Sequence, residues 1–216
     1  MKKILGIFVL VLTALVLISC KGGGGGKSGD GSSSGSGTAP ATVASFSASL
    51  NVNYAFEINT NANTASLRAS ISGIDLVNEN YSCSFSGDFN NGTFSCNGGN
   101  SITITNGSFN LNTGDGNHTF TKTSSTTNSA TYTCTFPGSL VLAFKNNNTC
   151  TFTGTGLFAG ESDSGTYSIT SGDFNNGTIV IDGDTSTITN GSFSYTEEVE
   201  DANGTTRNLT VTFVKQ

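Results

Sequence analysis

Two long stretches of the chain carry an apolar residue at every second position. In the first stretch, these residues occupy positions 46, 48, 50, 52, 54, 56 and 58. The second stretch contains Tyr132, Cys134, Phe136, Leu140, Leu142 and Phe144. Because successive side chains of a β-strand point to opposite faces, each stretch predicts a strand with one buried face. Pro137 and Gly138 interrupt the second stretch, and we expect an edge position or a β-bulge there.

Short alternating segments separated by turn residues follow each long stretch. Asn106-Gly107 and Asn190-Gly191 stand between such segments, and Asn-Gly is a strong hairpin signal because both residues tolerate a positive φ. The chain has 28 Gly, 2 Pro and no Trp, and Ser, Thr and Asn supply most of its polarity. Beyond the first 20 residues, no segment has apolar residues at helical spacing. The sequence therefore predicts an all-β protein built from antiparallel meanders.

One segment of the chain is copied almost letter for letter. SGDFNNGTF at residues 86–94 returns as SGDFNNGTI at residues 171–179, and the Asn-Gly turns recur in the same order at offsets of about 85 residues. This pattern predicts two tandem homologous β-meander units, at residues 41–126 and 127–216, each a small sandwich or barrel. The two units could also pair edge to edge in one longer sheet.

The copied segment has two interpretations, a turn and a calcium loop. Asp88 and Asp173 could offer carboxylate ligands, but an EF-hand loop requires a Glu at its twelfth position. Gly99 and Asp184 occupy that position in the two copies. We therefore expect a hairpin turn, in which each aspartate accepts hydrogen bonds from turn amides and the following phenylalanine packs inward. The prediction for this motif is no metal site.

Residues 1–20 resemble the signal peptide of a bacterial lipoprotein. Lys2 and Lys3 precede an apolar run at residues 4–18, and the letters LISC at residues 17–20 resemble a lipobox. The resemblance implies that residues 1–19 are removed and that Cys20 is acylated, which would anchor the mature chain in a lipid bilayer. The alternative is an ordinary signal peptide with an incidental Cys20. Residues 20–40 contain the acylated cysteine and a Gly/Ser-rich stretch, and they are expected to form a flexible tether.

Four further cysteines follow the tether, and an exported protein can join them in disulfides. They are Cys83, Cys96, Cys134 and Cys150. Of the three connectivities that four cysteines allow, we favour Cys83–Cys96 and Cys134–Cys150, because each pairing closes a short loop. Disulfides matter in small units that bury little apolar surface. The alternative is that these cysteines are buried free thiols.

Charge and residue types argue against two functional classes. The formal net charge is −6 with no cluster of Lys or Arg, so nucleic-acid binding is not expected. His118 is the single histidine, and its neighbours predict an exposed loop. Asp163 and Ser164 lie in a segment that reads as a polar turn, so a Ser-His-Asp site is not expected. The sequence shows no zinc spacing and no acid/base pair, and it predicts no cofactor and no enzyme.

These features together predict an exported lipoprotein anchored to a bacterial membrane, at the outer membrane or the cell surface. The favoured role is a non-catalytic binding or adhesion module for a protein, glycan or small-molecule ligand, because rigid sheets usually present binding loops. The alternative is a structural or antigenic coat lipoprotein without a ligand pocket. In layout alone, the tether followed by β-units is similar to surface lipoproteins of the transferrin-receptor accessory type.

Overall fold

A computed structural model describes residues 39–97, 99, 101–113 and 116–216. The predicted signal peptide at residues 1–19, the acylation site Cys20 and nearly all of the tether lie outside the described residues. Within the described ranges, no helix has the length and apolar character that crossing a membrane requires.

The described residues form fourteen β-strands and no helix, so the predicted all-β class is confirmed. In chain order, the strands of the first half are β1 (Thr42–Asn59), β2 (Thr64–Ile71), β3 (Ile74–Gly87), β4 (Gly92–Cys96), β5 (Ile102–Ile104), β6 (Ser108–Thr113) and β7 (Gly116–Ser125). Those of the second half are β8 (Ser129–Lys145), β9 (Thr149–Gly156), β10 (Ser162–Gly172), β11 (Gly177–Ile181), β12 (Asp184–Ile188), β13 (Ser192–Glu200) and β14 (Thr206–Lys215).

The two long strands lie side by side at the centre of one antiparallel sheet. β1 pairs with β8 along almost its whole length. On its other side, the C-terminal part of β1 pairs with β2 and the meander continues to β5, while the C-terminal part of β8 pairs with β9 and continues to β12. The N-terminal part of β8 pairs with β7, and that of β1 pairs with β14. Each half therefore completes its hairpins on the long strand of the other half.

The sheet is single and open, which differs from the expected sandwich or barrel in each half. Among the described strands, β5 contacts β6 through one isolated bridge, Thr105↔Ser108, and β12 contacts β13 through Thr189↔Ser192. One hydrophobic cluster also joins buried residues of both halves. Because the long strands pair with each other, the halves cannot separate into independent sheets. Their division into two homologous tandem units stays a prediction.

Pro137 lies on a central strand, but the side of β8 that faces away from β1 has no strand partner at this residue, so the predicted edge position holds locally and no bulge is present. It pairs with Asn51 without a register shift. On the opposite side of β8, pairing with β7 ends at Thr133 and pairing with β9 begins at Gly138. Pro137 thus occupies the gap between two neighbouring strands, where the missing N–H of proline removes no bond to either of them.

The alternating residues of β1 are buried as predicted and form the middle of the core. Phe46 and Val52 are fully buried and Ile58 is 1% exposed. Burial of a side chain of this size stabilises the fold by about 1.5–3 kcal/mol. Since the core face of β1 extends through both halves, this strand positions the inward-facing residues of both meanders.

Candidate functional site

The copied segment forms a hairpin turn in both halves. The Oδ1 atom of Asp88 accepts hydrogen bonds from the amides of Asn90 at 2.6 Å and Asn91 at 2.8 Å. Asp173 accepts the equivalent bonds from Asn175 and Asn176 at 2.6 and 3.0 Å. These hydrogen bonds hold the pKa of each carboxyl below its usual value. The bonds from the amides of Asn91 and Asn176 lower it most.

Further contacts of the copied turn fix the neighbouring hairpins. The side chains of Asn90 and Asn175 accept hydrogen bonds from Lys122 and Lys215 respectively. In each half the backbone of the same asparagine also accepts a bond from the glycine of the Asn-Gly turn. Among the described residues, no group of three or more His, Cys, Asp or Glu is placed to hold a metal ion. The hydrogen bonds of the segment are those of a structural turn.

The cysteines pair differently from the expectation. Cys83 and Cys96 face each other on β3 and β4 and form the expected disulfide. Cys134 and Cys150 are free thiols, so the second expected pairing is wrong. The register of β8 and β9 places Cys150 opposite Phe144, ten positions beyond Cys134. At about 3.3 Å per strand residue, the two thiols are separated by far more than a disulfide can bridge.

His118 and the Asp163-Ser164 pair lie on different strands, and neither lies in the turn that the sequence suggested. His118 lies on β7 and is half-buried, with its ring stacked on Phe136 at 3.7 Å between centroids. Asp163 and Ser164 lie on β10, which pairs with β9 in the second half. The exposed loop expected for His118 and the polar turn expected at residues 161–165 are therefore corrected to strands.

The second half contains a cleft with apolar walls, which is the candidate functional site. Its total empty volume is about 780 Å³ including the open mouth, and the centre of a water molecule can occupy about 50 Å³ of it. The apolar walls are formed by Leu140, Leu142, Phe152, Ile181, Phe193, Leu209, Val211 and Phe213. The cleft is therefore a narrow slot between β8–β11 on one side and β13–β14 on the other.

Gly165 lines this slot at a position where the first half has a large side chain, and the Asp182 carboxylate lies against it. Strand register gives the equivalence, because Tyr81 pairs with Ala65 on the β2–β3 hairpin and Gly165 pairs with Cys150 on the β9–β10 hairpin. The ring of Tyr81 packs against the core. At Gly165, a side chain is excluded, since an added Cβ would overlap a carboxylate oxygen of Asp182.

Three carboxylates stand in the lining of the cleft, and each already accepts a hydrogen bond. Asp182 accepts the Thr166 amide at 2.8 Å, and Asp163 accepts the Ser164 amide at 2.8 Å. Glu197 accepts the Tyr195 hydroxyl at 2.5 Å. Among the residues that line the described cleft, none is lysine or arginine. The described lining therefore places three carboxylates beside the apolar walls.

The carboxylates of the lining affect two titratable groups of the cleft. Burial raises the pKa of the Cys150 thiol, and the charges of Asp182 and Asp163 raise it further. Burial also raises the pKa of Tyr195, together with the hydrogen bond to Glu197 and its charge. A thiol and a phenol with raised pKa values stay protonated at neutral pH. They contribute a weakly polar surface to the cleft and no nucleophile.

The apolar periodicity of the sequence did not predict this cleft, but the glycine at residue 165 is a signal that could have indicated it. In the first half the inward positions of β3 are Tyr81, Cys83 and Phe85, and in the second half the aligned positions of β10 begin with Gly165. A glycine at an inward strand position marks a place where the core lacks a side chain. The other side chains around Gly165 come from distant strands, and their positions depend on how those strands pair across the sheet.

We compared the chain with protein-family models, with curated proteins and with solved structures. No match was found in any of the three comparisons.

Proposed function

We propose that the protein is a non-catalytic, lipid-anchored binding protein that holds a small, largely apolar ligand in the cleft of its second half. The cleft carries the proposal, because apolar concave sites with a few polar groups are the usual form of small-molecule sites. In the sheet's other half, a tyrosine that packs against the core occupies the position of Gly165.

A binding role fits the hydrogen bonding of the polar lining better than an acid/base role. Asp182, Asp163 and Glu197 are each engaged by a donor within their own hairpin or strand. A general acid or base must reach the proton that it transfers, and these carboxylates already serve local structure. We therefore propose ligand binding without chemistry.

The cleft can be tested by methyl NMR on the full chain in phosphatidylcholine nanodiscs, with 1-hexanol as the probe and empty nanodiscs as the blank. We expect concentration-dependent shifts for the methyl groups of Leu209 and Val211, which line the cleft. The methyl groups of Val52 and Leu67, which lie outside the cleft lining, serve as the internal control. Equal shifts in both sets, or none in either, would contradict the proposal.

A substitution that fills the cleft gives a second test. Val211→Trp should remove the hexanol response because the indole occupies the slot. The matched control is Thr210→Trp, since Thr210 is the preceding residue of β14 and points to the opposite, exposed face. If Thr210→Trp also removes the hexanol response, the loss in Val211→Trp does not come from an indole that occupies the cleft.

The lipid anchor is proposed on the residue pattern that ends at Cys20. Intact-mass analysis of the membrane-extracted protein should show an acylated N-terminus at that residue. Cys20→Ala should release the chain from the membrane fraction or leave the signal peptide uncleaved. An unmodified Cys20 thiol in the membrane-extracted protein would contradict the anchor while leaving the cleft proposal intact.

A further inference from the structure

We infer that the ligand of this cleft is an extended polypeptide segment, which pairs with the open edge of β13 and places an apolar side chain in the slot. This inference rests on the proposed function, and it adds the chemical class of the ligand. It follows from two features that adjoin each other, a strand edge without a strand partner and an apolar cleft. Peptides are often recognised in this way, with affinity from backbone hydrogen bonds and specificity from a pocket for alternate side chains.

The open edge is the side of β13 that faces away from β14. β13 pairs with β14 along all nine of its residues and without a register shift. Among the strands that the structure describes it has no other partner, apart from the isolated bridge Thr189↔Ser192 at the hairpin turn. Proteins commonly block such an edge with a proline, a lysine or a β-bulge, and β13 contains none of these. Its charged side chains begin at Glu197, so residues 192–196 form an uncharged edge.

The backbone groups of this edge point toward the place of a further strand. Ser192 and Thr189 exchange two backbone hydrogen bonds, at 3.0 and 2.8 Å, so the N–H and C=O of Ser192 point away from β14. Because these groups alternate in direction along an antiparallel strand, those of Ser194, Thr196 and Glu198 also point away from β14. The open edge therefore presents three consecutive donor and acceptor pairs to an incoming backbone.

The side chains next to these groups leave the edge accessible. The hydroxyls of Ser194 and Thr196 are hydrogen-bonded to Thr212 and Thr210 of β14, at 2.8 and 2.9 Å. They are thus directed along the exposed face toward β14 and not across the open edge. An incoming strand displaces neither of these bonds.

The same strand positions the slot for one face of a bound peptide. Phe193, Tyr195 and Glu197 alternate with the outward residues of β13, and all three line the cleft. Directly opposite residues of an antiparallel pair have their side chains on the same face of the sheet. A peptide residue opposite Tyr195 therefore directs its side chain into the slot, and the residues before and after it point to solvent.

A second strand edge without a strand partner borders the slot. Pairing of β10 with β11 begins at Tyr167, so residues 162–166 of β10 pair with β9 alone among the described strands. Ser164 and Gly165, in this part of β10, line the cleft on the side across from β13. A compact apolar molecule would use only the walls of the slot, whereas an extended peptide also uses the backbone groups at its rim. The rim therefore favours a peptide.

The first half has a similar edge without the glycine. Ser108 exchanges two backbone bonds with Thr105, so the backbone groups of Asn110 on β6 point away from β7. At the position of Gly165, however, Tyr81 packs against the core. The first half therefore offers a matched control, which has the strand edge but a large side chain at the place of the glycine.

The probe for the test is the peptide acetyl-TKLTVKT-amide, in which leucine and valine point to one face of a strand. It is added to the full chain in phosphatidylcholine nanodiscs, and empty nanodiscs serve as the blank. We expect shifts of the Leu209 and Val211 methyl groups, and deuterium exchange of the Ser194 and Thr196 amides slowed at least about tenfold. The Asn110 amide should keep its exchange rate. 1-Hexanol should shift the methyl groups without slowing exchange.

The two probes distinguish a wrong ligand class from a wrong site. If hexanol shifts the cleft methyl groups but the peptide does not slow exchange of the Ser194 and Thr196 amides, the inference is overturned and the proposed function stands. If neither probe shifts the methyl groups, the proposed function itself is wrong. Equal slowing at Asn110 would also overturn the inference, because the peptide would then bind any open edge.

Backbone methylation of the peptide tests the hydrogen bonds on the wild-type protein. In the antiparallel pairing, the N–H of the central threonine points to β13 and that of the leucine points away. N-methylation of the threonine should weaken binding at least about tenfold, because it removes a bond and fills its space, and N-methylation of the leucine should change Kd less than about threefold. Equal effects of the two methyl groups, or the reverse order, would overturn the inference.

A pair of proline variants tests the edge from the side of the protein. Ser194→Pro removes an N–H that points away from β14 and should abolish peptide binding, while hexanol binding stays within about twofold. The matched control is Asn110→Pro on the equivalent edge of the first half, which should leave both probes unaffected. Peptide binding that survives Ser194→Pro with wild-type affinity would overturn the inference.

Discussion

The two halves of the sheet share their turns and differ in their cores. In both halves, a copied aspartate closes one turn and an Asn-Gly pair with positive φ closes another, at Asn106 and Asn190. In the first half, aromatic rings and a disulfide fill the space between the strands. In the second half, the corresponding space is the cleft. Because the two halves have the same turns but differently filled cores, the residues that set the strand order are not those that set the volume between the strands.

Aromatic packing illustrates the difference. The ring of Phe109 lies 5.0–5.8 Å from the rings of four neighbours, measured between centroids: Phe56, Phe94, Phe120 and Tyr132. The ring of Phe193, at the corresponding place on β13, has contacts of 5.2 and 5.3 Å with Phe46 and Phe213. The second half also has packed rings, with Phe144 in contact with Tyr167 and Phe174, but one side of Phe193 faces the cleft.

The largest expected effect comes from removing these two rings in turn. Phe109→Ala should lower the free energy of unfolding by about 5 kcal/mol and Phe193→Ala by about 3 kcal/mol, because a closed core leaves a larger unfilled cavity than a site already beside a cleft. Urea denaturation of the full chain measures both. Equal losses would show that the two cores are equally well packed.

The disulfide should account for the next largest difference between the halves. Replacing both Cys83 and Cys96 by serine opens a loop with a sequence separation of 13 and should cost about 3 kcal/mol. The control is Cys134→Ser, which alters a half-buried free thiol and should change stability by less than about 0.5 kcal/mol. A reducing agent should destabilise the wild type and leave the double variant unaffected.

A smaller effect is expected at the glycine of the cleft. Gly165→Ala forces its new Cβ against the Asp182 carboxylate and should cost about 2 kcal/mol, a usual penalty for overpacking. In an Asp182→Ala background the obstructing atoms are absent, so the same substitution should cost much less. The comparison is a double-mutant cycle by chemical denaturation. Additive costs would show that Asp182 is not what excludes a side chain at residue 165.

Local sequence patterns were sufficient to predict the two long strands, the copied turn and the Asn-Gly turns, but not the strands that contain His118 and Asp163. The alternation through Phe46 and Ile58 predicts a half-buried strand, and both Asn-Gly pairs are turns with positive φ. The turn chemistry of Asp88 and Asp173 also follows from their own segment, because all their hydrogen-bond partners lie within three residues. Interactions of this range can be read from one stretch of sequence.

Features that depend on distant pairing were not predictable in this way. The central position of Pro137 follows from where β7 ends and β9 begins along β8. The free thiols of Cys134 and Cys150 follow from the register of the same strands. The cleft requires residues of β8 to β11 and of β13 and β14 to surround one missing side chain at Gly165. None of these relations leaves a periodic signal in the sequence.

The smallest expected effect tests the feature in which the two halves agree. Asp88→Ala and Asp173→Ala should lower the melting temperature by similar amounts, less than the disulfide variant does, because each removes the acceptor of two turn amides. Both carboxyls have a pKa below the usual value in the folded state. Their contribution is therefore present above the unfolded-state pKa of about 4 and is lost as pH falls through the folded-state value.

Melting curves of the full chain between pH 7 and pH 2, with calcium or with a chelator, check both parts of this prediction. The difference between wild type and each aspartate variant should shrink as the pH falls below about 4, since the carboxylate is then protonated in the wild type as well. Calcium should change neither curve. A calcium-dependent rise in the melting temperature that disappears in the double Asp88→Ala, Asp173→Ala variant would show a bound ion, since a ligand that binds only the folded state stabilises it. That result would make the shared turn a metal site, and the two halves would then agree in a function as well as in a fold.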